Sequence, residues 1–67
     1  MDIRQRLGLK LKALREQKGW SQEDFGDRCG LHRTYVSGVE RGLRNPTVTV
    51  LEKLAKGLDV SVSVLLE

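Results

Sequence analysis

Residues 21–42 of this 67-residue chain read SQEDFGDRCGLHRTYVSGVERG, and their pattern predicts two short helices joined by a tight turn. Ser21 is a favourable N-cap, and Asp24 at the third helical position can complete a capping box with it. The first helix is expected to end at Gly30, because glycine readily takes the left-handed conformation that terminates a helix. A second helix is expected from roughly His32 to Arg41, so the segment predicts a helix-turn-helix.

The two predicted helices carry small or apolar side chains where they would contact each other. A steep helix crossing needs such positions, and here they are Phe25, Cys29, Leu31, Val36 and Val39. A single cysteine excludes a disulfide framework and a cysteine-rich zinc site. We therefore interpret Cys29 as a small buried hydrophobe and not as a redox sensor.

The segments on either side of the motif predict further helices. Before it, Asp2 can cap a helix whose apolar face is marked by Ile3, Leu7, Leu11 and Leu14. After it, Pro46 interrupts the helical pattern and Thr47 can cap the next helix. The apolar positions of that helix are Val48, Leu51, Leu54, Ala55 and Leu58.

The last stretch, residues 59–67, fits two structures. Valines alternate with serines from Val60 to Val64, which is typical of a strand. A single strand would have no partner in an otherwise helical chain, so we predict a final short helix capped by Ser61. Its inward side chains are expected to be Val64, Leu65 and Leu66. The predicted fold is all-α, with five helices in one domain over residues 1–67.

Composition excludes several classes of protein. No apolar run is long enough to cross a membrane and no signal-peptide pattern is present, so a cytoplasmic protein is expected. The one histidine and the scattered serines form no nucleophile–base pair at a plausible spacing, so an enzyme is not expected. No metal-ligand or phosphate-loop motif occurs, and no cofactor or small-molecule ligand is expected.

Basic and acidic residues are segregated along the chain. The net charge is +3, but residues 1–18 carry +4, residues 19–27 carry −3, residues 28–47 carry +3 and the last twenty carry −1. Such segregation is typical of a nucleic-acid-binding surface. In residues 1–18 the basic side chains are equally well explained as solvated helix faces. In residues 28–47 they share a segment with small polar side chains, which favours a binding surface.

The helix-turn-helix segment resembles that of the lambda-repressor-like family, also known as Cro/cI or XRE. Within it, HRTYVSGVERGLRNPT (residues 32–47) is most similar to the controller proteins of restriction–modification systems. The flanking runs LKALREQKG and VTVLEKLAKGLDVSVSVLLE also fit, so the resemblance covers nearly the whole chain. It implies a compact five-helix lambda-repressor-like domain and a transcriptional regulator that binds specific sequences of double-stranded DNA.

The resemblance also assigns roles to the second helix of the motif and to its surroundings. That helix should enter the major groove, and the expected base-contacting residues are Arg33, Thr34 and Ser37. Arg33 is the strongest of these, because one guanidinium can bond both O6 and N7 of a guanine. The residues expected at the DNA backbone, or in a role left open, are Gln22, His32, Tyr35, Arg44 and Asn45.

Other positions either match the family pattern or depart from it. Arg15 and Glu40 match a salt bridge that ties the first helix to the recognition helix, which is a structural role. His32 stands where a capping Asp, Ser or Thr is usual, so the recognition helix is expected to lack its best N-cap. Gly38 offers no side chain at a position that some relatives use to contact a base, which suggests fewer direct contacts.

A homodimer on a palindromic operator is expected, because one recognition helix contacts too few bases to find a unique site. The resemblance points to the C-terminal helices as the dimer surface, with Val50, Val62, Val64 and Leu66 as the candidates. The alternative is that these side chains only complete the monomer core. Two other functions stay open: an antitoxin or protein-interaction module of a toxin–antitoxin pair, and the DNA-binding fragment of a longer phage-type repressor.

Overall fold

The computed structural model describes residues 1–67, and all of its regular structure is helical. In chain order the helices are α1 (Ile3–Gln17), α2 (Gln22–Cys29), α3 (Arg33–Glu40), α4 (Val48–Leu58) and α5 (Val62–Leu65). The predicted all-α fold with five helices is confirmed, and the valine–serine alternation near the C-terminus forms a short helix. No helix is both long and apolar enough to cross a lipid bilayer.

Side chains cap the helix starts much as the sequence predicts. Asp2 accepts a hydrogen bond from the backbone N–H of Arg4 at 2.7 Å. Ser21 and Asp24 form the predicted capping box of α2, with reciprocal bonds of 3.0 and 3.1 Å. Ser61 occupies the N-cap position of α5 as predicted, but its side chain makes no cap bond and its hydroxyl lies 2.9 Å from the hydroxyl of Ser63.

Four helices end in the same backbone motif, in which a left-handed residue lets two N–H groups bond back to the last turn. At the end of α3, Gly42 donates to the carbonyl of Val39 at 3.0 Å and Leu43 donates to that of Gly38 at 2.9 Å. Glycines with φ of 72–76° occupy the left-handed position after α1, α2 and α3. After α4 the position is held by Asp59, the one non-glycine residue with a positive φ, at 58°.

All five helices contribute side chains to the core. Its largest fully buried side chains are Phe25, Leu11, Leu54, Leu58, Leu65, Val36 and Val39. Cys29 is buried as predicted. Trp20, just before the α2 cap, stacks on Phe25 with ring centroids 6.3 Å apart and so closes the core at that end.

Three side chains that the sequence places on apolar faces are exposed. Ile3 and Val48 are 58% and 70% exposed, because each is the first residue of its helix and lies at the edge of the core. Leu66 is 41% exposed although it was expected to turn inward. Successive residues of a helical turn point about 100° apart, so the burial of Leu65 directs its neighbour Leu66 toward solvent.

Helix α1 supports the end of α3 through a direct backbone approach at Gly8. A β-carbon there would collide with the carbonyl oxygens of Val39 and Glu40. The absence of a side chain therefore lets α1 lie against the last carbonyls of α3. This contact sets the position of the helix that the sequence assigns to recognition.

Candidate nucleic-acid interface

Helix α3 has one buried and one open face. Val36, Gly38 and Val39 are buried against the rest of the domain. Arg33 and Thr34 are exposed, and Ser37 is half-buried beside them. Residues three and four apart are neighbours on a helix surface, so these three polar side chains form one patch. The structure thus brings together the three residues that the sequence singles out for base contact.

A buried ion pair joins the end of α3 to α1. Arg15 donates from Nε to Glu40 Oε2 at 2.7 Å and from Nη2 to Glu40 Oε1 at 3.0 Å. Its Nη1 donates to the backbone carbonyl of Trp20 at 2.8 Å, so α1, the α1–α2 turn and α3 are joined at one point. The bond to Glu40 raises the pKa of Arg15 above its ordinary value. The negative charge of Glu40 is thus matched within the fold.

Gln22 takes part in the same network, which sequence reasoning missed. Its Nε2 donates to Glu40 Oε1 at 3.1 Å. One of the two amide hydrogens is therefore used inside the protein, and only one is left for a phosphate oxygen. The sequence carries no local signal for this contact, because the two residues are 18 positions apart.

Arg33 is engaged across the turn of the motif. Its Nη1 donates to Glu23 Oε2 on α2 at 3.1 Å, and both side chains are 63% exposed. An ion pair this open contributes about 0–1 kcal/mol to stability. Breaking this ion pair therefore costs little folding stability, and the guanidinium can bond another acceptor instead.

His32 caps α3, contrary to the expectation that this helix lacks a good cap. Its Nδ1 accepts the backbone N–H of Thr34 at 3.1 Å and lies 2.8 Å from Thr34 Oγ1. The physical reason is that Nδ1 of histidine stands the same number of bonds from the backbone as the side-chain oxygen of Asp or Asn. A neutral imidazole thus serves the N-terminus of α3 as those caps would.

The loop after α3 places the guanidinium of Arg44 beside the recognition helix. The guanidinium carbon of Arg44 lies 5.7 Å from the ring centroid of Tyr35. A β-carbon on Gly38 would lie 2.9 Å from Cγ and 3.3 Å from Nε of Arg44. The missing side chain at Gly38 is thus replaced in space by the stem of Arg44. Asn45 follows in the same exposed loop.

Comparison with known proteins agrees with this geometry. The sequence profile of the helix-turn-helix family HTH_3 matches residues 11–65. The chain belongs to this helix-turn-helix family. The resemblance seen in the sequence is therefore confirmed at the level of the family.

Similar members of the helix-turn-helix family include controller proteins. A hypothetical transcription factor of Neisseria meningitidis is 45% identical over 65 residues, which cover 97% of this chain and 61% of that protein. Control protein C.MunI of a Mycoplasma species is 46% identical over 63 residues, covering 92% of this chain and 85% of that protein. The solved structure of the restriction–modification controller protein C.AhdI from Aeromonas hydrophila matches with a TM-score of 0.90 at 44% identity, over 92% of this chain and 94% of that one.

The chain spans about three fifths of the Neisseria relative but most of the control protein. Of the four residues predicted to form a dimer surface, Val50 lies on α4, Val62 and Val64 lie on α5, and Leu66 directly follows α5. Val50, Val62 and Val64 are half-buried, whereas Leu66 is 41% exposed. Val50 and Val62 also pack against the core, so part of their apolar surface is used within the monomer.

Proposed function

We propose that this protein is a transcriptional regulator that binds specific sequences of double-stranded DNA as a homodimer. The observation that carries the proposal is the open face of α3, where Arg33, Thr34 and Ser37 stand together above a buried apolar face. A B-DNA major groove about 12 Å wide admits such a helix. A helix that reads DNA sequence needs polar side chains on its exposed face and a buried face that fixes its position in the domain.

The electrostatics of the domain agree with a DNA partner. Residues 28–47, which contain α3 and the following loop, carry a net charge of +3. Glu40, the one acidic residue in that segment, is bonded to Arg15 and is 8% exposed. The segment that contains α3 is therefore net basic, and the acidic side chain beside it on α2, Glu23, is paired with Arg33. Electrostatic attraction to phosphates supplies affinity without sequence preference, which base contacts must add.

Each of the grouped residues receives a role under this proposal. Arg33 exchanges Glu23 for the O6 and N7 atoms of a guanine, a bidentate contact worth about 1–3 kcal/mol of discrimination. Thr34 and Ser37 contact neighbouring bases. Phosphate contacts come from the flanking residues, which are Gln22, Tyr35, Arg44 and Asn45.

One recognition helix contacts too few base pairs to specify a unique site, which favours a homodimer. Two copies related by a two-fold axis read palindromic half-sites about one helical turn apart. The residues proposed for the contact between copies lie on α4, on α5 and directly after α5: Val50, Val62, Val64 and Leu66. A chain of this length buries only about 60% of its unfolded surface, so association adds stability that the monomer core cannot supply.

The narrower proposal is control of a restriction–modification system. It is supported by the similarity to control proteins along 85% of the length of one and 94% of the length of another. Under this proposal the protein works in the cytoplasm, uses no cofactor and catalyses no reaction. Its partners are DNA and a second copy of itself.

The test is selection of bound duplexes from random DNA, combined with sedimentation of the free protein and of the complex. The proposal predicts a two-fold symmetric consensus and a stoichiometry of two chains per site. A consensus without symmetry, bound by one chain, would contradict the proposed homodimer. Enrichment of no sequence at all would contradict the proposed function and favour a protein partner.

A further inference from the structure

We propose that His32 positions the DNA-reading face: in its neutral form it caps α3 and orients the hydroxyl of Thr34 toward itself. The inference rests on the proposed function, because it concerns how Thr34 meets a base. It goes further in making the hydrogen-bond pattern that Thr34 offers depend on a neighbouring imidazole. His32 is here a positioning residue, acting through Thr34.

The cap bond selects the tautomer of His32 that can serve α3. Nδ1 lies 3.1 Å from the backbone N–H of Thr34, and it accepts that hydrogen bond only when the ring proton is on Nε2. Thr34 Oγ1 lies 2.8 Å from the same Nδ1. In this tautomer the hydroxyl can only donate to Nδ1, so the backbone N–H and the hydroxyl of Thr34 share one acceptor.

This arrangement decides what Thr34 offers to DNA. With its hydrogen turned toward His32, the hydroxyl presents only acceptor lone pairs to the groove. Such a group accepts from the amino groups of adenine or cytosine in the major groove and cannot donate to guanine or thymine. His32 thus restricts a side chain that would otherwise bond either kind of base.

The test measures base preference one base pair at a time with the full chain. Duplexes carry the selected operator with each base pair reversed in turn, and affinity is measured for the wild type, His32→Ala, Thr34→Val and the double variant. Both single variants are expected to lose about two- to tenfold preference, the worth of one hydrogen bond, at the same base pair. The double variant is expected to lose no more than either, and preference at the base pair sensitive to Arg33→Ala is expected to stay unchanged.

A loss of preference confined to one base pair is the readout that a purely structural cap would not move. If His32→Ala fails to fold, the base preference of Thr34→Val still decides whether the hydroxyl of Thr34 is read.

The contradicting results are specific. Equal weakening of all duplexes by His32→Ala would make His32 a helix cap only, and an unchanged preference in Thr34→Val would show that the hydroxyl is not read. Either result overturns the inference while leaving the proposed function intact. Absence of any preference in the wild type would instead overturn the proposed function, and the inference with it.

Discussion

Arg15 and Glu40 are joined by two hydrogen bonds, of 2.7 and 3.0 Å, although they lie 25 residues apart on α1 and α3. Both residues are 8% exposed. Together with the backbone contact at Gly8, this bidentate pair sets how the recognition helix projects from the domain. The stability of the fold and the placement of the proposed DNA-reading face therefore depend on the same link.

Glu40→Gln is expected to lower the free energy of unfolding by about 3–5 kcal/mol, because the guanidinium of Arg15 is left buried without its counter-charge. Urea unfolding followed by circular dichroism measures the change. Glu52→Gln, an exposed carboxylate on α4, is the control and is expected to change stability by less than about 0.5 kcal/mol. Equal effects of the two substitutions would show that the Arg15–Glu40 pair contributes no more than a surface charge.

Cys29 is expected to make the folded state less stable at alkaline pH. Burial raises the pKa of its thiol to about 11. Below the ordinary thiol pKa of 9.0 both states keep the proton, but between that value and about 11 only the unfolded state loses it. Stability should therefore fall with pH across this window, by on the order of 3 kcal/mol.

The measurement for Cys29 is urea unfolding of the wild type and of Cys29→Ala across that pH window. Lysine and tyrosine titration affects both proteins alike, so the difference between them isolates the thiol. The wild type should lose its advantage over Cys29→Ala as the pH rises. A constant difference would mean that the thiol ionises equally well in the folded and unfolded chain.

Asp59→Gly is expected to stabilise the protein by about 0.5–1 kcal/mol, because Asp59 holds a left-handed conformation that glycine adopts without strain. Thermal unfolding measures the gain. Asp59→Asn keeps the β-carbon and removes only the negative charge at the C-terminus of α4, so it separates backbone strain from the helix dipole. An equal gain in Asp59→Asn and Asp59→Gly would assign the effect to charge, because both substitutions remove the carboxylate.

The fold was predictable because its boundaries are marked by local chemistry. Helix ends are set by contacts between residues close in the sequence. Examples are the capping box of Ser21 and Asp24 and the glycines that follow α1, α2 and α3. Ile3, Val48 and Leu66 were misplaced because a periodic pattern shows which face is apolar but not how far the core extends. A small core ends before its helices do.

The contacts of the candidate site were less predictable than its members. Arg33, Thr34 and Ser37 follow from helical spacing, but the partner of Arg33 on α2 depends on the angle between two helices. The cap by His32 was missed because histidine is not counted among the usual caps, although its Nδ1 can accept as they do. A search for any acceptor two bonds beyond the β-carbon would have found it.

Gly38→Ala is expected to weaken operator binding about 3- to 10-fold by displacing Arg44 from the surface of α3, the cost of one lost contact. Stability is expected to stay the same or rise, because alanine is favoured over glycine within helices by about 1 kcal/mol. Fluorescence anisotropy measures the affinity and thermal unfolding the stability. Arg44→Ala is the matched variant, and the two substitutions together should cost no more than Arg44→Ala alone.

Undiminished binding by Gly38→Ala would show that the position of Arg44 across Gly38 has no part in DNA recognition. Additive losses in the double variant would show that the two residues act separately.

We infer that α3 recognises DNA sequence through Arg33. The direct test is to measure the affinity of Arg33→Ala and of the wild type for the selected operator and for random DNA over a range of salt concentrations. Arg33→Ala is expected to lose its preference for the operator while keeping most of the salt-dependent affinity for random DNA. Lys12→Ala, on the exposed surface of α1, serves as the control and should retain the preference. Equal loss of affinity for operator and random DNA in Arg33→Ala would contradict the claim, because Arg33 would then contact phosphate alone.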